Sequence, residues 1–291
     1  AAGRLKALVI VGYDILPTLA DLTATRAALA KLELVIVLDL FLNESAVQFA
    51  HVVLPAASAF EKDGTFMNAE RRVQRVRAAV SPPGEAWPDW RIIAGLARHM
   101  GRAAGFEFDS AESIWNEIRS VWPEGRGITY PRLDSGGLQW PCRDDADPGL
   151  AILHTQQFAK SATAPLARIA YEPTPETVTP DYPFLLSTGR TLYQFNAGTM
   201  TMRTPNADLR PTDTLEMAPA DAEALGLRDG ERVRVESRYG AATLPLEITD
   251  RVSAGRLFAT FHDAGAAVNR LTSPHRDRIV HAPEYKVAAV A

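Results

Sequence analysis

Cysteine is nearly absent: Cys142 is the only one in 291 residues. A single thiol excludes an internal disulfide, an internal CxxC redox pair and any multi-cysteine zinc or iron–sulfur site made by this chain alone. A reducing, cytoplasmic setting fits that scarcity. Long apolar runs are missing too. The longest, Leu34 to Leu42, is broken by Asp39 and falls far short of the about 20 residues that a membrane span needs. There is no surplus of positive charge: 31 Lys and Arg stand against 35 Asp and Glu, a formal net charge of −4. No overall basic field therefore draws in nucleic acid or anionic lipid, and any anion site must be local. No GxSxG elbow, HExxH pair or GxxxxGK[ST] loop occurs. The six histidines form no i, i+4 pair, and His275 and His281 lack a Cys or Glu at ligand spacing, so they read as solvated or core imidazoles. The N-terminus carries no cationic start and signal core but runs straight into an apolar strand pattern at Ala7 to Val11. A processed chain or a piece of a longer polypeptide would begin in this way.

What is present is an ordinary globular composition, 46% hydrophobic, in a length that suits two domains of about 150 residues each. The first hundred residues alternate apolar runs with helical patterns: Ala7 to Val11, Leu22 to Leu32, Leu34 to Leu38, Glu44 to Ala50, His51 to Leu54. Strand, helix, strand, helix, strand predicts βαβ units and a parallel sheet. Pro88 to Met100 and Ser110 to Val121 read as helices, the first stopped by Gly101 and the second capped by Ser110. Residues 122–180 lose all periodicity and are rich in Pro, Gly, Asp and Thr, as an irregular surface connection is. Beyond Pro183 the signals turn to β: Phe184 to Ser187, Arg232 to Ser237, Ala242 to Ile248 and Arg256 to Phe261, with a short helix at Ala220 to Leu225 ended by Gly226. Short strands at near-regular spacing predict a small barrel.

Three stretches offer chemistry. Asp39 lies just past a buried strand, the place where open α/β sheets bind ligands. Its carboxylate could accept two N–H bonds from a guanine edge, or could cap the following helix. Ser187-Thr188-Gly189-Arg190 combines a hydroxyl, backbone N–H groups that Gly lets approach closely and a guanidinium fork, a set that suits phosphate; an ordinary turn with a solvated Arg is the other reading. Arg71, Arg72, Arg75 and Arg77 interleave with Val73 and Val76, which predicts a cationic face on an extended segment, solvated or ligand-facing. Cys142 has no adjacent His and reads as packing.

Together these stretches resemble the molybdopterin-dinucleotide oxidoreductases, and among them the formate dehydrogenase catalytic (alpha) subunit. The resemblance runs through Asp39-Leu-Phe-Leu-Asn-Glu-Ser-Ala, His51-Val-Val-Leu-Pro-Ala-Ala-Ser-Ala-Phe-Glu-Lys-Asp-Gly-Thr-Phe-Met-Asn-Ala-Glu-Arg-Arg-Val-Gln and Pro82-Pro-Gly-Glu-Ala-Trp-Pro-Asp-Trp. It continues through Leu138-Gln-Trp-Pro-Cys, Tyr182-Pro-Phe-Leu-Leu-Ser-Thr-Gly-Arg-Thr-Leu-Tyr-Gln-Phe-Asn-Ala-Gly-Thr-Met-Thr and Ala222 to Gly240. Phe261-His-Asp-Ala-Gly-Ala-Ala-Val-Asn-Arg-Leu-Thr and Pro283-Glu-Tyr-Lys-Val complete it, so essentially the whole chain is covered.

The resemblance implies an α/β plus β protein, a partial parallel-sheet dinucleotide-binding domain followed by a C-terminal double-psi-type β-barrel. Its divisions would be 1–105 (α/β segment), 106–180 (irregular connection) and 181–291 (barrel). It implies molybdenum or tungsten held between two molybdopterin guanine dinucleotides, and oxidation of formate to carbon dioxide with two electrons passed on. Nitrate or another oxyanion as substrate, or a non-catalytic dinucleotide-binding module, are the alternatives. The family's iron–sulfur cysteines and its metal-ligating Cys or selenocysteine with neighbouring His have no counterpart here. The chain alone is therefore expected to be inactive, to hold no iron–sulfur cluster, and to work with the N-terminal part of the catalytic subunit and electron-transfer subunits. The match puts Leu38 and Asp39 at one guanosine, with Lys62 and Asp89 in the surroundings of the same dinucleotide. It puts Thr188, Gly189, Arg190, Thr191, Leu192 and Asn196 at the other dinucleotide, closed from the C-terminus by Phe261, Asn269 and Lys286. The chain departs from the family at Gly12-Tyr13-Asp14-Ile15, where many members have Gly-x-Asn-Pro. It also has Tyr-Gln-Phe-Asn-Ala at 193–197 in place of a Trp-His pair.

Overall fold

A computed structural model describes residues 3–158 and 161–291. In chain order the elements are β1 (Ala7–Val11), α1 (Ile15–Thr18), α2 (Leu22–Leu29), β2 (Leu34–Asp39), α3 (Glu44–Phe49), β3 (Val52–Pro55), β4 (Gly64–Met67), β5 (Arg72–Val76), α4 (Asp89–His99) and α5 (Ala111–Val121). There follow α6 (Tyr130–Leu133), β6 (Leu138–Gln139), β7 (Phe184–Gly189), α7 (Asn206–Leu209), β8 (Leu215–Met217), α8 (Pro219–Leu225), β9 (Arg232–Glu236), β10 (Ala241–Ile248), β11 (Arg256–Thr260) and β12 (Val287–Val290). The chain divides into two compact units. One comprises Ala1–Val37, Leu42–Val53 and Tyr171–Ala291, the other Leu38–Phe41 and Leu54–Ala170.

The helix boundaries follow from local chemistry. Asp21 accepts the Ala24 N–H at 3.0 Å and so caps α2, while Asn43 accepts that of Ala46 at 2.8 Å and caps α3. Asp14, at the departure from the family pattern, is buried and accepts the N–H groups of Glu44 (3.1 Å) and Ser45 (3.0 Å), further orphan donors at the start of α3. Burial raises its pKa above the usual carboxylate value, against the lowering by the Ser45 and Glu44 hydrogen bonds. Ser110 caps α5 in a reciprocal box with Ser113, and α8 stops at Gly226, whose φ of 67° needs no Cβ penalty.

Three sheets are present among the described residues. The first has the order β1-β2-β3, with Ile10, Val35, Val37 and Ala46 forming a buried cluster. The second, β4-β5-β6, is antiparallel, pairing Phe66 with Gln74 and Val73 with Leu138. Sequence reading did not give β4 or β6, because Gly64–Met67 is short and Leu138–Gln139 only completes an edge. The Arg71–Arg77 stretch is extended as expected, yet its cations hold the chain together. Arg71 donates to the carbonyls of Leu150 (3.1 Å) and Ala151 (2.8 Å), Arg75 lies 3.5 Å from the Tyr130 ring centroid, and Arg77 pairs with Asp134. These arginines fasten the irregular connection to β5.

The third sheet has the order β12-β7-β11-β8-β10-β9, with β7/β11 and β8/β10 parallel and the remaining neighbours antiparallel. Its outer strands meet: Ser237 bridges Val290, and Glu236 and Ala291 exchange two N–H···O bonds of 2.8 Å. The sheet is therefore curled until its edges join at one end, which removes exposed edge donors. Alternation on β10 buries Ala242, Leu244 and Leu246 with Leu186, Leu215, Leu257 and Leu271 inside. Each such Leu contributes about 1.5–3 kcal/mol of burial.

Glu176, from the segment that leads into β7, is buried against this sheet. It accepts the Tyr239 hydroxyl at 2.6 Å and the Ala289 N–H at 3.1 Å. Burial first, and then the Glu176 carboxylate, push the Tyr239 phenol up to about 12 from an ordinary 10.0. A raised phenol stabilises the fold fully below pH 10, and that stabilisation is lost as pH climbs through about 12. We expect Glu176→Ala to lower the Tyr239 pKa towards 10.0 and to cost about 2 kcal/mol in denaturant unfolding. An ultraviolet phenolate titration in which Tyr239 does not move would contradict this.

Candidate functional site

Pairing of β12 on β7 sets Val287 opposite Ser187, and Thr188 donates its N–H to the Lys286 carbonyl (3.0 Å) and its hydroxyl to that of Tyr285 (2.7 Å). On the other side of β7, Gly189 pairs with Thr260, so Phe261 emerges at the same end. Gly189 lets the Phe258 ring pack against the strand end: a Cβ would lie 2.5 Å from that ring and would have to displace it. Two cations stand at this end on aromatic faces. The Arg190 guanidinium carbon is 5.1 Å from the Phe195 ring centroid. Lys286 Nζ is 4.6 Å from the Phe261 centroid and 5.3 Å from that of Tyr285, and those two rings meet edge to face at 6.5 Å.

Neither cation forms an ion pair with a described residue. Desolvation, and then the neighbouring Arg190 charge, hold the Lys286 ammonium below the usual lysine pKa. Two like charges left together in this way concentrate positive charge locally on a chain whose net charge is negative. Thr191 shapes the adjoining turn, its hydroxyl accepting the N–H groups of Tyr193 and Gln194 at 3.1 Å each. Leu192 is 99% exposed and Phe195 63% exposed, and Asn196 takes the left-handed φ of 50° that Asn tolerates. Asn269 is buried, and its amide donates to the carbonyls of Leu16 (2.6 Å) and Leu19 (2.8 Å) at the end of α1. Thus Thr188, Gly189, Arg190, Phe261 and Lys286 come together, with Thr191, Leu192 and Asn196 in the connected turn, while the Asn269 amide is engaged by backbone. Tyr285 is a ring that sequence reading missed; its signal was its position directly before Lys286.

The other predicted group lies along one hydrogen-bonded rim. Leu38 is fully buried at the end of β2, and the Asp39 carbonyl accepts the Ala56 N–H at 3.1 Å. Ala57 donates to the Trp87 carbonyl at 2.8 Å, and Trp87 to that of Pro55 at 3.1 Å. Trp87 and Pro88 lead into Asp89, the first residue of α4, which is ion-paired with Lys62. Capping does not explain Asp39, because Asn43 supplies the α3 cap. One oxygen of Asp39 accepts the Leu40 N–H at 2.6 Å, geometry that presents a carboxylate at a strand end. Cys142 is buried with its Sγ 3.2 Å from Arg132 Nη1, and burial raises its pKa, so it is packing as expected. No cluster of three or more His, Cys, Asp or Glu that could hold a metal ion occurs among the described residues. No helix among them is long and apolar enough to cross a membrane.

Comparison with known proteins identifies relatives over the length of the chain. A model of the molybdopterin oxidoreductase family matches residues 1–99, and one of the molydopterin dinucleotide binding domain matches residues 184–289. The F420-dependent formate dehydrogenase 2 subunit alpha of Methanococcus maripaludis is 39% identical over 292 residues, covering 100% of this chain and 43% of that protein. The F420-dependent formate dehydrogenase subunit alpha of Methanocaldococcus jannaschii is 41% identical over 289 residues, covering 99% of this chain and 43% of that protein. The acetylene hydratase of Pelobacter acetylenicus shares the fold, with a TM-score of 0.75 over 98% of this chain and 43% of that one at 19% identity. The chain thus spans less than half the length of the relatives it matches. The two family models fall on Leu38–Asp89 and on Thr188–Lys286, the stretches that carry both groups of candidate residues, and the chain belongs to the molybdopterin oxidoreductases.

Proposed function

We propose that this chain is the C-terminal, cofactor-cradling part of a formate dehydrogenase-like molybdenum or tungsten oxidoreductase. In this reading residues 1–105 and 181–291 each serve one of two molybdopterin guanine dinucleotides, joined by 106–180. The curled six-stranded sheet, with its two parallel pairs, is read as a double-psi-type barrel. The observation that carries the proposal is the pair of cations Arg190 and Lys286, stacked on Phe195, Phe261 and Tyr285 with no carboxylate partner among the described residues. A pyrophosphate flanked by flat heterocycles fits that set: anionic oxygens for the guanidinium and ammonium, ring faces for the aromatics. Thr188 and Gly189 fix where the strand ends, and Thr191, Leu192 and Asn196 shape the turn beside it. Phe261 and Lys286 close the site, and Asn269 braces the backbone behind.

At the first dinucleotide Asp39 reads the guanine edge, with Leu38, Lys62 and Asp89 around it. When bound, the metal–pterin group supplies the two-electron chemistry that turns formate into carbon dioxide. This chain's residues bind and orient that group, while the metal's protein ligand and the electron path lie in the N-terminal part and in electron-transfer subunits. A cytoplasmic location and inactivity of the isolated chain belong to the same reading. Support for formate comes from the Methanococcus maripaludis and Methanocaldococcus jannaschii relatives, both formate dehydrogenase alpha subunits.

Guanosine diphosphate, titrated calorimetrically into the chain, tests both groups. Asp39→Ala should weaken binding by about 2 kcal/mol, the cost of a lost charged acceptor. Unchanged affinity would remove Asp39 as the guanine reader. Lys286→Met should lower affinity and flatten its dependence on salt. Its effect on stability has the opposite sign. Because the folded pKa of Lys286 lies below the unfolded one, its charge disfavours folding at neutral pH, so the ligand-free variant should melt no lower than the parent. A lower melting temperature with unchanged nucleotide affinity would make Lys286 a structural residue.

A further inference from the structure

Behind the two cations lies a buried polar hub that the proposed function does not use. Asp213 is fully buried. Its Oδ1 accepts the Thr260 hydroxyl (2.6 Å), the His262 N–H (2.9 Å) and His262 Nδ1 (2.8 Å), and its Oδ2 accepts the Asp263 N–H (3.1 Å). The other ring nitrogen, His262 Nε2, faces the Arg210 carbonyl at 3.2 Å. A carbonyl only accepts, so Nε2 must carry a proton there, while the Nδ1 contact is satisfied whether its proton sits on the ring or on Asp213. The Arg210 carbonyl has a second donor, Gln194 Nε2 at 3.1 Å, which also donates to the Asn206 carbonyl at 3.1 Å. Gln194 belongs to the turn that carries Arg190 and Phe195, and His262 directly follows Phe261, the ring beneath Lys286. The turn also rests on His262: a Cβ at Gly198 would lie 2.7 Å from the His262 carbonyl. The other charged groups facing this hub are committed. Asp263 accepts the Thr212 hydroxyl at 2.6 Å, and the Arg210 guanidinium meets Glu247 at 3.4 Å.

We propose that His262 is a positioning residue for the barrel-side dinucleotide, a role that rests on the functional reading above. Through the Arg210 carbonyl it ties the Phe261–Lys286 wall of the anion site to the Arg190–Phe195 wall. The hub thereby sets the separation of the two cations without touching the ligand.

Two variants of the full chain separate its two ring bonds. His262→Asn places an amide N–H near Nδ1 and keeps the Asp213 bond while deleting the one to Arg210. His262→Gln places its amide near Nε2 and does the reverse, leaving Asp213 its three other donors. We expect His262→Asn to speed hydrogen exchange at the Gln194 and Phe195 amides, and to weaken guanosine diphosphate binding, at least about tenfold each. His262→Gln should stay within about threefold of the parent in both, a rescue that a merely structural role would not give. Equal losses in both variants, or none in His262→Asn, would overturn the proposal. If exchange follows this pattern while the parent binds no nucleotide, the tie stands and the functional reading fails. Should either variant not fold, 15N chemical shifts of the parent decide: a protonated Nε2 supports the tie, and a bare Nε2 overturns it.

Discussion

The antiparallel pairing of β12 on β7 is the constraint from which the proposed site on the six-stranded sheet follows. It brings Lys286 beside Thr188 although nearly a hundred residues separate them, and it leaves the Lys286 ammonium in the field of Arg190. The same pairing is held from below by Glu176, which accepts the N–H of Ala289 within β12. It is held from the side by the junction of Glu236 with Ala291 that joins the outer strands. Closure of the sheet and assembly of the site are thus one event. A chain in which β12 did not dock would have neither the joined edge nor the second cation.

Charge is distributed with a clear division. Away from these two cations the acidic groups of the curled sheet are satisfied: Asp213 by four hydrogen-bond contacts, Glu247 by Arg210, Arg251 and Thr214, Glu216 by Arg251. At the strand end the cations lean on rings instead, which lowers the cost of placing them together without neutralising them. An anion arriving there meets donors that no carboxylate has already claimed. The rim at Asp39 follows a different rule. Lys62 is already paired with Asp89, so the recognition element we propose there is the Asp39 carboxylate, which suits an N–H-bearing edge better than a phosphate.

Much of this could be read from the chain itself, for physical reasons that differ by element. The early βαβ pattern was plain because buried strands such as Leu34–Asp39 are continuous apolar runs and their helices carry side-chain caps. The long strand β10 was plain because Leu244 and Leu246 alternate with outward residues. β8 and β12 were not, since Leu215–Met217 and Val287–Val290 are too short and too uniformly buried to show a period. Thr188, Gly189 and Arg190 could be named from their motif, and Lys286 only through the family resemblance. What made Arg190 and Lys286 a unit, the aromatic platform and the missing counter-charge, depends on contacts between distant segments. His262 was read with the other histidines as a solvated or core imidazole, and by burial it is a core one; the partner on each ring nitrogen is a tertiary fact that spacing does not encode.

The central claim, that the chain cradles guanine dinucleotides around a metal, is tested most directly on natively purified material. The intact masses of every polypeptide that accompanies this chain, the molybdenum and tungsten content, and the released guanine nucleotide would be measured on one sample. The account predicts a longer parent chain or a larger cysteine-rich companion, with about two guanines per metal atom. A chain of 31.7 kDa found alone, with neither metal nor nucleotide, would contradict it.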